Sequence, residues 1–180
     1  MRVALVAILM VTLAPLGAAA QQPYAGQQAR EIKSLAPDEI ADLEAGRGMG
    51  FAKAAELNHY PGPAHILELR DKLALTPQQA ASVQAAFDRM SEAAKPLGAA
   101  LLDRERALDR GFAGGAMTED ALARETAAIG LLQGRLRAVH LGAHLEMRRI
   151  LTAPQIAQYD ALRGYDDSSS MPMQHHMHGG

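Results

Sequence analysis

The stretch that decides the fold is "LTPQQ" at residues 75–79, together with its second copy, "LTAPQ" at 151–155. Each predicts the start of a helix. Thr76 and Thr152 stand where an N-cap hydroxyl accepts a hydrogen bond from the backbone three residues on. Gln79 and Gln155 are placed to reach back to the cap's own N–H, completing a capping box. Pro77 sits at the first helical position, where its missing N–H costs nothing. In the second copy Leu151 and Ile156 have the spacing of a hydrophobic staple; Leu75 opens the first copy of the motif.

Working outward, apolar residues recur at steps of four and three on both sides of a short Gly-rich connector, "GFAGGAM" at 111–117. The first seam runs through Val83, Phe87, Met90, Ala94, Leu97, Leu101 and Leu108. The second starts behind the N-cap Thr118 and runs through Leu122, Ile129, Leu132, Leu136, Val139, Ala143, Met147 and Ile150. Seams of this period predict two long helices, and a short connector folds them back as an antiparallel hairpin. Pro96 inside the first predicts a kink and hence a curved hairpin. Shorter helices are predicted over 63–74 and 154–163. The stretch "LAPDEIADLEAGRG" at 35–48 echoes "LTAPQIAQYDALRG" at 151–164, but Ala36 replaces the capping Thr, so a weaker helix is expected there. The fold class is all-α: a long hairpin flanked by short helices.

The remainder of the chain sets the context. Residues 1–20 carry Arg2, an apolar run and Ala18-x-Ala20, the pattern of a cleaved secretory signal peptide rather than a membrane anchor. Removing them leaves 17 basic and 20 acidic residues and no cysteine, a charge too mild to argue for nucleic acid or an anionic membrane. The domain organisation expected is a signal peptide (1–20), a flexible segment with one weak helix (21–55), the hairpin domain (56–165) and a disordered His/Met-rich tail (166–180). Export without membrane insertion places the mature chain in a bacterial periplasm.

A signal peptide, a short helix, two "LTxxQ" copies at the ends of a hairpin and the stretch "AELNHYPGPAHILEL" at 55–69 together resemble the Spy/CpxP family of periplasmic proteins. That family includes heavy-metal sensor and resistance members similar to CnrX and ZraP. The resemblance spans roughly 35–165. It implies a curved helical hairpin that forms a homodimer, with a client-binding concave face in the chaperone members. In the sensors it implies metal ligation by His, Glu and Met on the first short helix and the end of the hairpin. The sensors' N-terminal His pair at i, i+4 is not matched, because His59 and His65 are six apart across "YPGPA".

Three sets of residues carry possible chemistry. "HLGAHLEM" at 140–147 sets His140, His144 and Met147 along one helical stripe at the edge of the seam. Two imidazoles at that spacing can chelate Zn²⁺, Cu²⁺ or Ni²⁺, and a thioether adds a preference for Cu⁺. The competing reading is that they pack. The HExxH general base of a zincin is absent. If the first short helix lies beside the end of the hairpin, as the resemblance implies, His65 and Glu68 join this set. The tail "MPMQHHMHGG" offers Met171, Met173, His175, His176, Met177 and His178, a composition that favours copper. The third candidate is a surface of exposed Leu, Met and Phe among arginines such as Arg124, Arg135 and Arg137, suited to unfolded periplasmic proteins. No thiol, nucleophile elbow or phosphate loop is present, so the chain reads as a non-enzyme with no obligatory cofactor and with a copper or zinc ion as its candidate ligand. The sequence-level function is a metal-binding stress protein for heavy-metal resistance. The alternatives are an ATP-independent holdase and the periplasmic sensor subunit of a membrane regulator.

Overall fold

A computed structural model describes residues 23–165. The signal peptide and the tail of the sequence reading lie outside these residues. The described chain is all-helical: α1 (Pro37–Ala45), α2 (Lys53–Glu56), α3 (Pro63–Glu68), α4 (Pro77–Ala113), α5 (Glu119–Ile150) and α6 (Ala153–Arg163), preceded by a single 3-10 turn at Gln27–Ala29. Helices α4 and α5 pair along their length. Arg89 meets Glu146 at 2.6 Å and Arg104 meets Glu125 at 3.6 Å, a register that rises on one helix as it falls on the other. The hairpin is therefore antiparallel. Helix α4 runs unbroken through Pro96. No helix among the described residues is long and apolar enough to cross a membrane.

The two capping boxes form as the spacing predicts. Thr76 accepts from the Gln79 N–H at 3.1 Å, and the Thr76 N–H donates to the Gln79 side chain at 3.1 Å. The second copy repeats this, with Gln155 N–H donating to Thr152 at 3.4 Å and Thr152 N–H donating to the Gln155 side chain at 2.9 Å. Tertiary packing then adds what local spacing does not contain. The Gln79 and Gln155 amides face each other and exchange hydrogen bonds at 2.8 and 3.1 Å. Gln79 also donates to the Ile150 carbonyl at the end of α5, and Gln155 to the Leu73 carbonyl after α3. Each glutamine thus starts its own helix and satisfies an orphan carbonyl at the end of another segment. Beneath this junction lies one core cluster, including Ile66, Val83, Met147, Ile156 and Tyr159.

The second cluster, further along the hairpin, joins Leu101, Leu102, Ile129 and Leu136 to Ile32 and Leu43 from the N-terminal segment. That segment, expected to be flexible, has a packed course instead: Ile32 is 0% and Leu43 2% exposed. Ser34 donates to the buried Glu105 at 2.9 Å, and Lys33 and Arg106 pair with Asp109 and Glu31. Helix α1 crosses α4 so closely at Gly98 that any side-chain carbon there would overlap the Leu43 carbonyl. Only glycine permits the crossing. The missing cap hydroxyl at Ala36 is partly offset by Glu39, whose carboxylate takes the Ala36 N–H at 2.7 Å. From α1 the chain continues across the hairpin, reaching His140 at Gly48 and His144 at Gly62. We call residues 30–62 the strap. Helix α3 is also shorter than its periodicity predicts: beyond Glu68 the chain continues in turns, with Ala74 at φ 47° before the first capping box.

Candidate functional site

Where the strap passes over the base of α5 it encloses a pocket of about 330 Å³, whose lining includes Glu56, His65, Met90, His140, His144 and Tyr165. The histidines expected at the half-shielded edge of the seam are in fact buried, His140 to 3% and His144 to 7% exposure. The reason is the strap, which adds a layer that helical periodicity alone does not reveal. Phe51 stacks on the His140 ring with centroids 6.3 Å apart. The backbone closes over His144 at Gly62, where an added carbon would lie 3.0 Å from the imidazole and 3.2 Å from the Glu56 carboxylate.

The hydrogen bonds assign proton positions. His144 Nδ1 lies 2.7 Å from the Tyr60 carbonyl, which only accepts. Nδ1 therefore carries a hydrogen, and in the neutral ring Nε2 keeps its lone pair. His140 Nε2 is buried with no hydrogen-bond partner. Burial, and secondarily the neighbouring His144, holds the His140 pKa below the usual imidazole value, so its ring is neutral at pH 7. His65 is more committed. Its Nδ1 faces Glu68 at 3.2 Å and its Nε2 accepts from the Arg163 guanidinium at 3.3 Å.

Glu56 anchors the floor of the site. It accepts the Tyr159 hydroxyl, lies 3.6 Å from His144 Nδ1 and 3.8 Å from Arg163 Nε. Burial, reinforced by this bond to Glu56, raises the Tyr159 pKa far above its ordinary value, keeping the phenol protonated. The same hydroxyl accepts from the Gly62 N–H at 3.4 Å, tying α6 to the closing turn of the strap. On the outside, Arg148 donates to the His59 carbonyl at 2.8 Å and lies over the Tyr60 ring, and His59 pairs with Asp160 at 2.8 Å.

The structure thus brings His65, His140 and His144 to one pocket and leaves two proposed partners outside it. Met147 is 0% exposed within the base core, because α3 and α6 cover the last turns of α5. Glu68 is an exposed residue whose carboxylate reaches only His65. Their places are taken by Glu56 and Met90. Neither was singled out from the sequence. Glu56 lies on the four-residue helix α2, too short to announce itself by periodicity, and Met90 reads as an ordinary seam residue. Among the described residues no three His, Asp or Glu side chains converge closely enough to hold an ion by themselves. The tail candidates Met171, Met173, His175, His176, Met177 and His178 lie outside the described residues.

Comparison with family models, with curated proteins and with solved structures finds no match to this chain.

Proposed function

We propose that the chain is an exported, non-enzymatic stress protein of the Spy/CpxP type that binds a transition-metal ion, copper or zinc, in heavy-metal resistance. One observation carries the reading: the buried, neutral His140, whose Nε2 has no hydrogen-bond partner, lines a pocket together with His144, Glu56 and Met90. An unmade hydrogen bond on a buried polar atom costs about 1–3 kcal/mol. Ligation would offset that cost. An ion that binds the folded chain and not the unfolded one also stabilises it by mass action.

The test is a competition titration of the purified protein with Cu⁺, Cu²⁺ and Zn²⁺, paired with thermal melts. We expect one of these ions to bind with a Kd below about 1 μM, and saturation at 100 times Kd to add about 2.7 kcal/mol. Absence of binding by all three ions removes this reading.

A second reading, a homodimeric holdase, has its own support. Leu131, Gly134, Ala138, Leu141 and Leu145 form a heptad-spaced stripe on the face of α5 turned away from α4, and Leu131 and Leu145 are more than half exposed. Arginines flank it. If this stripe holds unfolded chains, Leu131→Glu/Leu145→Glu abolishes suppression of client aggregation while metal binding persists.

A further inference from the structure

The two halves of the strap are held in different ways. Over residues 30–46 it belongs to the core, with Ile32 and Leu43 buried in the second cluster and α1 locked against Gly98. Over residues 47–60 the only buried residue is Ala52, while Met49 and Phe51 rest partly buried on that cluster. Burial resumes at Pro61, which is fully enclosed. The second half is therefore fastened mainly by polar contacts near its far end. Arg148 donates to the His59 carbonyl and lies over the Tyr60 ring at 4.9 Å from the centroid. His59 meets Asp160 at 2.8 Å, the Tyr60 carbonyl accepts from His144, and Glu56 accepts from Tyr159. His59 and Arg148 are exposed, so water competes for their bonds.

The near end is built to turn. Gly46, Met49 and Gly50 have positive φ, at 69°, 43° and 79°, and no atom lies within 4 Å of where a side chain on Gly50 would begin. Glycines at 46, 48 and 50 leave the backbone free to change direction there. Between this hinge and Pro61 lies only the four-residue α2, too short to be stable by itself. Beneath it, His140 Nε2 is buried with no hydrogen-bond partner, and Phe51 is stacked on the ring. A solute reaches that nitrogen only when a covering layer moves. The 32 residues of α5 are pinned into both core clusters, so the strap is the layer that yields.

We propose that residues 47–60 are a hinged lid over His140 and His144, turning about Gly46–Gly50 and clasped to α5 and α6 by Arg148 and Asp160. The lid opens while the hairpin and residues 30–46 stay folded, as a local opening rather than a global one. Its opening is the step that admits a ligand to the His140 ring. That entry role rests on the metal-binding reading above; the opening itself does not.

The test is the rate at which diethyl pyrocarbonate modifies His140 at pH 7, read by peptide mass on the purified, metal-free full chain at urea concentrations below the unfolding transition. His140 should react about 10-fold or more slowly than in the unfolded chain, with a urea dependence much shallower than that of global unfolding. Arg148→Ala and Asp160→Asn should each speed the reaction about fivefold, the effect of one ordinary hydrogen bond. The chain has no cysteine, so Ala54→Cys/Leu145→Cys lets a short bis-maleimide tie the lid to α5. Both positions are exposed and line one groove. Cross-linking should slow modification about 10-fold or more relative to the same variant left open. A rate that follows global unfolding in its urea dependence overturns the lid. So does a ring as reactive as in the unfolded chain, or a rate that the clasp variants and the cross-link leave unchanged. Stopped-flow uptake of Zn²⁺ then tests the entry step, and Arg148→Ala should speed it by the same factor as the modification. Uptake indifferent to the clasp overturns the lid as the entry route. If Cu⁺, Cu²⁺ and Zn²⁺ all fail to bind while modification behaves as expected, the lid stands and the metal-binding reading falls.

Discussion

The glutamine junction at the base of the hairpin and the histidine pocket beside it share helices α5 and α6, yet they are assembled from different kinds of contact. At the junction each bond within a capping box spans three residues, and the long-range bonds all come from two side chains, the Gln79 and Gln155 amides, which reach each other and the Ile150 and Leu73 carbonyls. In the pocket nearly every contact is long-range. His144 meets Tyr60 across 84 residues, and Tyr159 meets Glu56 across 103. The junction is a local design locked by the tertiary bonds of two glutamines. The pocket exists only because the strap lies where it does.

That difference can be broken first at Gly98. A side chain there overlaps the Leu43 carbonyl, so Gly98→Val should cost about 3 kcal/mol and loosen the strap. Hydrogen exchange should then rise across residues 30–62 while the capped starts of α4 and α6 keep their protection. Equal loss of protection in both regions would show that strap and junction unfold as one unit.

Tyr159→Phe keeps the ring in the base core but removes the hydroxyl that joins Glu56 to the Gly62 N–H. Leaving those groups without their partner should cost about 2 kcal/mol in urea unfolding. Gln79→Ala and Gln155→Ala probe the junction itself, each losing about 1–2 kcal/mol. Because the two amides bond each other, the double variant should fall short of the sum by about 1 kcal/mol. Strict additivity would sink the reciprocal pair.

A pH series sharpens the contrast further. His140 has a lowered pKa in the folded state, so below the usual imidazole value of about 6.5 the unfolded chain takes up a proton that the folded chain refuses. Stability should therefore fall as pH drops from 7 through that range. His140→Phe should lose less stability than the parent over the same interval, and an identical slope in both would refute the buried, neutral ring. The smallest effect is expected at Ala74, a non-glycine residue at φ 47° just ahead of the first capping box. Ala74→Gly should stabilise the protein by about 0.5–1 kcal/mol, read as a shift in the urea midpoint.

Much of the architecture was legible because its causes are local. The hairpin, its turn and the helix starts at Thr76, Thr118 and Thr152 follow from i, i+3 and i, i+4 rules that act within a turn or two of chain. The packed course of residues 30–62 was not legible. Its helices are short, its cap at Ala36 lacks a hydroxyl, and the features that bind it belong to distant partners: the space at Gly98, and Glu105 waiting for Ser34. For the same reason the pattern at 140–147 identified two histidines on one face but not their depth, and it counted Met147 with them although α3 and α6 bury it elsewhere.

The sequence by itself determined the all-helical hairpin, the places where its helices begin, and the pairing of His140 with His144 on one stripe, because backbone hydrogen bonding and helical period act over short spans. Only the tertiary structure decided that these rings would be buried, that His140 would be neutral, and that Glu56 rather than Glu68 would lie beside them. Burial and desolvation depend on what a distant segment lays on top, and no local pattern in the chain encodes that.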